Sequence, residues 1–126
     1  MGGKAVIKAE GAPLPVGPYS QAVKAGGWLF VSGQLPIDPA TGEVVRGGAA
    51  KQAERALENL KAIVEAAGLS LNNVVKVTLY LQDLKDFQAV NEVYAKYFGR
   101  EPPARTTVQA APPKGAKVEI DAVAHG

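Results

Sequence analysis

Six stretches of this 126-residue chain read as strands and only two as helices, and two helices can cover no more than one face of a six-stranded sheet. The helical signal is clearest from Ala49 to Ala67. There Ala53, Ala56, Leu57, Leu60, Ile63, Val64 and Ala67 recur every three or four positions, opposed by Lys51, Glu54, Arg55, Glu58, Lys61 and Glu65. Gly68 stands where a left-handed C-cap belongs. In the second helix Phe87, Val90, Tyr94 and Phe98 share one stripe, Asp83 is placed to accept from the first free N–H groups, and Gly99 ends the run.

The strands begin with Ala5–Lys8, followed by a Pro- and Gly-rich loop from Gly11 to Pro18. Ala22–Ala25 and Trp28–Ser32 flank Gly26-Gly27, a two-residue hairpin turn in which both positions need positive φ. Val74–Leu81 is dense in β-branched and aromatic residues, and Thr106–Ala110 and Lys117–Ala124 are joined through Pro112-Pro113-Lys114-Gly115. This order contains two strand-helix-strand units and predicts a single α+β domain over residues 1–126, a mixed six-stranded sheet with both helices on one face. Trp28 and Phe30 are expected in the core. The Trp28–Val31 and Val74–Val77 segments are partly apolar on both alternating faces, so the uncovered face is expected to meet another copy of the chain.

With 47% apolar residues, 21% charged residues and a formal net charge of +2, the chain can bury a core, and neither intrinsic disorder nor a supercharged nucleic-acid arm fits. The absence of cysteine excludes disulfides, zinc fingers, iron–sulfur ligation and thiol nucleophiles. The single histidine, His125, is expected to be terminal and exposed, so Ser-His and poly-His metal chemistry are set aside. The start, Met1 to Lys8, lacks a long apolar run, and a cytosolic setting is expected. There is no P-loop, no GxGxxG and no acidic metal cluster, and the charges are interspersed, so neither nucleic acid nor membrane is an expected partner.

Four positions can carry chemistry. Arg105 follows Glu101-Pro102-Pro103-Ala104, a stiff approach, and a guanidinium held there can grip a carboxylate bidentately; a structural salt bridge explains the spacing as well. Glu119 falls on the opposite strand face from Val118, Ile120, Ala122 and Ala124, where it can orient a water or stand on a solvated face. Tyr19, after Gly17-Pro18, can donate its phenol to a ligand or pack beneath its loop. Gly33, in Ser32-Gly33-Gln34, can admit a ligand to backbone N–H groups or permit a turn.

Taken together, Gly17-Pro18-Tyr19-Ser20-Gln21-Ala22, Ser32-Gly33-Gln34-Leu35-Pro36, Thr41-Gly42-Glu43, Val64-Glu65-Ala66-Ala67-Gly68, Pro103-Ala104-Arg105-Thr106 and Val118-Glu119-Ile120 run in the order found in the RidA/YjgF family of enamine/imine deaminases, which the chain resembles from about Gly11 to Ala124. The resemblance implies a chorismate-mutase-like homotrimer with its sheets inward, ligand pockets between subunits, and hydrolysis of imines and enamines such as 2-aminoacrylate to 2-keto acids and ammonia without a cofactor. It implies that Arg105 clamps the substrate carboxylate, that backbone N–H groups at Gly33 and Thr107 share it, that Glu119 positions the water and that Tyr19 lines the pocket. Asn91 matches a family position and is assigned a structural role. Thr107 stands where many relatives carry cysteine. Two other readings stay open: a non-catalytic protein that holds a keto acid or other carboxylate, and RNA cleavage, for which no His pair or basic-aromatic groove is found.

Overall fold

A computed structural model describes residues 3–126; Met1 and Gly2 lie outside it. The chain runs β1 (Ala5–Ile7), β2 (Ala22–Ala25), β3 (Trp28–Gln34), α1 (Ala49–Ala66), β4 (Val74–Leu81), α2 (Phe87–Phe98), β5 (Ala104–Gln109) and β6 (Val118–His125). The strands form one six-stranded mixed sheet in the order β1-β2-β3-β6-β4-β5, in which β4 and β5 are parallel and every other pair is antiparallel. The two-residue turn between β2 and β3 forms as its sequence requires, with Gly26 at φ 55° and Gly27 at φ 84°.

Both helices lie over the same side of the sheet. Along the α1 stripe, Ala56, Leu57, Leu60, Ile63 and Val64 are fully buried against Leu29 and Val31 of β3 and Ile120, Ala122 and Ala124 of β6, and Ala53 packs with Leu79 and Leu81 of β4 and Val118 of β6. Burial of each large aliphatic side chain there stabilises the fold by about 1.5–3 kcal/mol. Val90 of α2 packs with Leu79 and Leu81 of β4 and Val118 of β6. Gly68, at φ 83°, turns the chain out of α1 as expected.

Several sequence expectations change in the structure. Trp28 and Phe30 are not core: they are 44% and 50% exposed on the face opposite the helices. Strand alternation explains the change, because Leu29 and Val31 take the inward positions and leave their neighbours outward. His125 is exposed but is not a loose end. It closes β6 and sets its ring edge-on to Trp28, 4.5 Å between centroids. Asp83 caps a short 3-10 turn, Leu84–Asp86, by accepting from Lys85 N at 2.9 Å, and α2 itself starts without a side-chain cap. Phe87 stands at the exposed end of its expected buried stripe, 41% exposed.

Candidate active site

The last two strands are not neighbours. β4 lies between them, pairing Val77 with Arg105 on one side and Tyr80 with Glu119 on the other. Val77 is fully buried toward the helices, so Arg105, its register partner, leaves β5 on the helix side. Glu119 alternates with the buried Val118 and Ile120 and faces the open side with Asp121 and Tyr80. Within one chain the two charged groups therefore stand on opposite faces of the sheet.

β5 reaches back to Ala104, so Arg105 is inside the strand rather than just ahead of it. Its guanidinium carbon sits 4.6 Å from the centroid of Tyr94 and 5.6 Å from that of Phe87, both on α2. Among the described residues it makes no ion pair and no side-chain hydrogen bond. It lines a recess of about 330 Å³ with Asn91, Tyr94, Phe98, Pro102 and Pro103. Two buried polar atoms of this recess, Asn91 Oδ1 and Tyr94 Oη, lack hydrogen-bond partners. Burial raises the Tyr94 phenol above its ordinary pKa, and the Arg105 charge opposes that shift. Thr107 follows two residues later on the same side of the edge strand. Ala110 N–H donates to Leu81 O, and the two-residue alternation of strand backbone then turns the Thr107 N–H toward the free edge.

A second recess, of about 380 Å³, is lined by Tyr19, Ser32, Gly33, Leu35, Lys114 and Glu119. Gly33 is inside β3, at an irregularity where Ser32 and Gly33 span the space between the Val31–Ala122 and Gln34–Ile120 pairs. Such a bulge sets two residues against one and re-aims the chain. The Glu119 carboxylate lies directly over Gly33, where a Cβ would collide with its Oε2. Burial pushes the Glu119 carboxyl above its ordinary range, and the charge of Asp121 adds to the shift. Asp121 is tied by a 2.9 Å hydrogen bond from Tyr80 Oη, whereas Glu119 accepts none from the described residues. Tyr19 is half exposed beside this carboxylate, its hydroxyl accepting from Val16 N at 3.3 Å. The structure thus brings Tyr19, Gly33 and Glu119 together and sets Arg105 and Thr107 apart from them.

The family model described as Endoribonuclease L-PSP matches residues 9–126. This chain belongs to that family, the RidA/YjgF family. A RutC family protein of Pyrococcus horikoshii is 57% identical over 123 residues, covering 97% of this chain and 98% of that protein. The mouse protein named 2-iminobutanoate/2-iminopropanoate deaminase is 48% identical over 120 residues, 94% of this chain and 89% of that protein. The solved structure of RidA from an Antarctic Psychrobacter superposes with a TM-score of 0.93 at 49% identity, covering 97% of this chain and 99% of the other.

Sequence reasoning missed the polar tethers that hold the second recess in this RidA-family chain. Asn59, fully buried on α1, donates to Leu35 O and Ile37 O at 3.1 and 2.9 Å while accepting from Arg55. Gln52, two α1 turns earlier on the same side, donates to Val45 O and accepts from Lys117 N at 2.8 Å. Gln21 fastens the Ala9–Pro13 loop by accepting from Ala9 N and donating to Pro13 O at 2.8 Å, and Ser32 Oγ donates to Ser20 O at 2.6 Å beside Tyr19. A readable signal existed for the helix pair: Gln52 and Asn59 interrupt an otherwise apolar stripe, and a buried amide persists only when its hydrogen bonds are met. Phe87 and Tyr94 as neighbours of Arg105 had no such signal, since the strand order that joins them is not local.

Proposed function

We propose that this protein hydrolyses reactive 2-imino and 2-enamino acids, 2-aminoacrylate among them, to 2-keto acids and ammonia, as a 2-iminobutanoate/2-iminopropanoate deaminase-type hydrolase. The observation that carries this reading is Arg105: a guanidinium without an acid partner among the described residues, at a recess beside an edge strand. A guanidinium presents donors in the spacing of a carboxylate's two oxygens, and charge-assisted bonds of that kind are worth about 1.5–3 kcal/mol each. The N–H groups of Thr107 and Gly33 would share the anion.

Glu119 would supply the proton chemistry. Its raised pKa makes it a better base than an ordinary carboxylate near neutral pH. Water attacks C2 of the C=N bond as Glu119 takes its proton, and the imine nitrogen is protonated. Glu119 returns its proton to the amino group of the tetrahedral carbinolamine, which leaves as ammonia while the hydroxyl proton passes to the Glu119 carboxylate and the C=O of the keto acid forms. An enamine enters the same path by tautomerising through protonation at C3. Tyr19 would wall the water side.

Because Arg105 and Glu119 occupy opposite faces of one sheet, the reading requires two chains at each site, Arg105 from one and Glu119 from its neighbour. The exposed Trp28, Phe30, Val6 and Val108 fit that assembly, a homotrimer packed through the open faces and working in the cytosol.

The test is Arg105→Ala and Glu119→Gln, separately and mixed. Each alone should lower ammonia release from freshly generated 2-aminoacrylate by about a hundredfold or more, with circular dichroism and sedimentation unchanged. Unfolding the two together and refolding them should restore about a quarter of wild-type activity, because random pairing rebuilds that share of sites. Full activity in Arg105→Ala would end the proposal. Pyruvate binding without turnover by the wild type would leave a non-catalytic carboxylate-binding protein.

A further inference from the structure

We infer that Phe87 and Tyr94 form an aromatic shelf that positions Arg105 with its hydrogen-bonding edge free, and so sets how tightly the site holds a planar carboxylate. The inference rests on the clamp role proposed for Arg105.

A strand arginine near a buried interior is ordinarily fixed by an acid. Arg105 is not: its guanidinium lies over two aromatic rings of α2, at 4.6 and 5.6 Å. The manner of fixing decides what remains for a ligand. An ion pair uses the N–H edge, the same edge that recognises a carboxylate. A ring attracts the cation through its π face and takes none of those donors. Aromatic support can thus cut the side chain's freedom without competing with the anion, which lysine at the same position would not achieve with equal geometry.

Phe87 needs this explanation most. It is the first residue of α2 and 41% exposed, with its stripe-mates Val90, Tyr94 and Phe98 buried. An exposed aromatic at a helix start contributes little to the core. Seven positions separate it from Tyr94, close to two helical turns, so both rings fall on the side of α2 that meets β5. Tyr94 is buried and brings its ring centroid within 4.6 Å of the guanidinium carbon.

The experiment uses the intact protein and pyruvate as the probe, with calorimetric Kd alongside steady-state turnover of 2-aminoacrylate. Phe87→Leu keeps an apolar side chain and removes the π face. It should weaken pyruvate binding roughly three- to tenfold and raise KM by the same factor, with kcat within about twofold. Phe87→Tyr should restore both values. Tyr94→Leu should lose binding at least as severely as Phe87→Leu. A purely structural role for Phe87 would lower the melting temperature and leave the ratio of KM to kcat alone. Wild-type Kd in Phe87→Leu, or failure of Phe87→Tyr to restore it, overturns the shelf while Arg105→Ala still abolishes binding. Pyruvate binding that is indifferent to Arg105→Ala overturns the clamp and the shelf together.

Discussion

The two sides of the sheet treat their charged residues differently. On the helix side Arg105 is held through its face by aromatic rings and keeps its donors unspent. On the open side Asp121 is tied to Tyr80, and Glu119 rests over a glycine with its pKa raised by burial. In the proposed reaction the first side would present the cation that meets the anion, and the second the carboxylate that accepts the proton. The fold keeps the two from neutralising each other inside one chain, because β4 stands between β5 and β6 and opposite alternation sends their side chains apart. An intramolecular pair of this sort would be stable and inert. Separation across the sheet leaves both groups available to the two-chain site proposed above.

This contrast breaks first at the open face. Phe30→Asp puts a charge at a half-exposed position, and a solvated surface would tolerate it within about 0.5 kcal/mol. If that face packs against a second copy, the buried charge should cost assembly well over 2 kcal/mol. We expect monomers by sedimentation and loss of deaminase activity by more than tenfold. A stable wild-type oligomer with normal activity would show that the open face is solvent-facing and that the two-chain site is wrong.

Gly33 sharpens the comparison next. A Cβ there collides with the far end of the Glu119 side chain rather than with backbone, so Gly33→Ala should fold and shift the carboxylate. A displacement on the order of 1 Å can cost up to about a hundredfold in rate. The expected outcome is a fall in kcat with pyruvate affinity nearly kept, opposite to the pattern for Phe87→Leu. A fall in affinity with kcat intact would leave Gly33 only the anion contact proposed for its N–H and detach it from the placement of Glu119.

Local pattern was enough for the strands, for the α1 stripe and for the Gly26-Gly27 turn, since each depends on contacts a few residues away. Pattern failed where partners are distant. Alternation shows that Trp28 and Phe30 share a face, but whichever face receives the helices is decided by α1 and β6, which lie far along the chain. Arg105 and Glu119 were each legible as candidates from a stiff Pro-Pro approach and an alternating strand. Their division between faces was not, because it follows from β4 inserting between two strands that are consecutive in sequence. Gly33 was legible as a place for ligand access or for a turn, but not as a bulge, because the bulge exists only against β6.

The smallest expected effect concerns Glu119 and stability. A carboxyl whose folded-state pKa is raised prefers its proton in the folded protein, so the unfolded chain ionises first as pH rises. Stability then falls across the window from the ordinary glutamate pKa up to the raised one, and the deficit is fully present above it. Glu119→Gln removes the charge and with it the deficit. The variant should melt slightly higher than the wild type at neutral pH, and the gap should close as pH drops below the ordinary glutamate value, where both proteins are neutral at this position. Partial exposure of the carboxyl keeps the gap small, a degree or two for each few tenths of a kcal/mol at this chain length. The same substitution should lower activity at every pH. Higher stability paired with lower turnover would mark Glu119 as a group kept for its proton chemistry at some expense to the fold. Equal melting curves across the window would mean that the open face solvates Glu119 as freely as any surface acid, and its assignment as base would lose its electrostatic support.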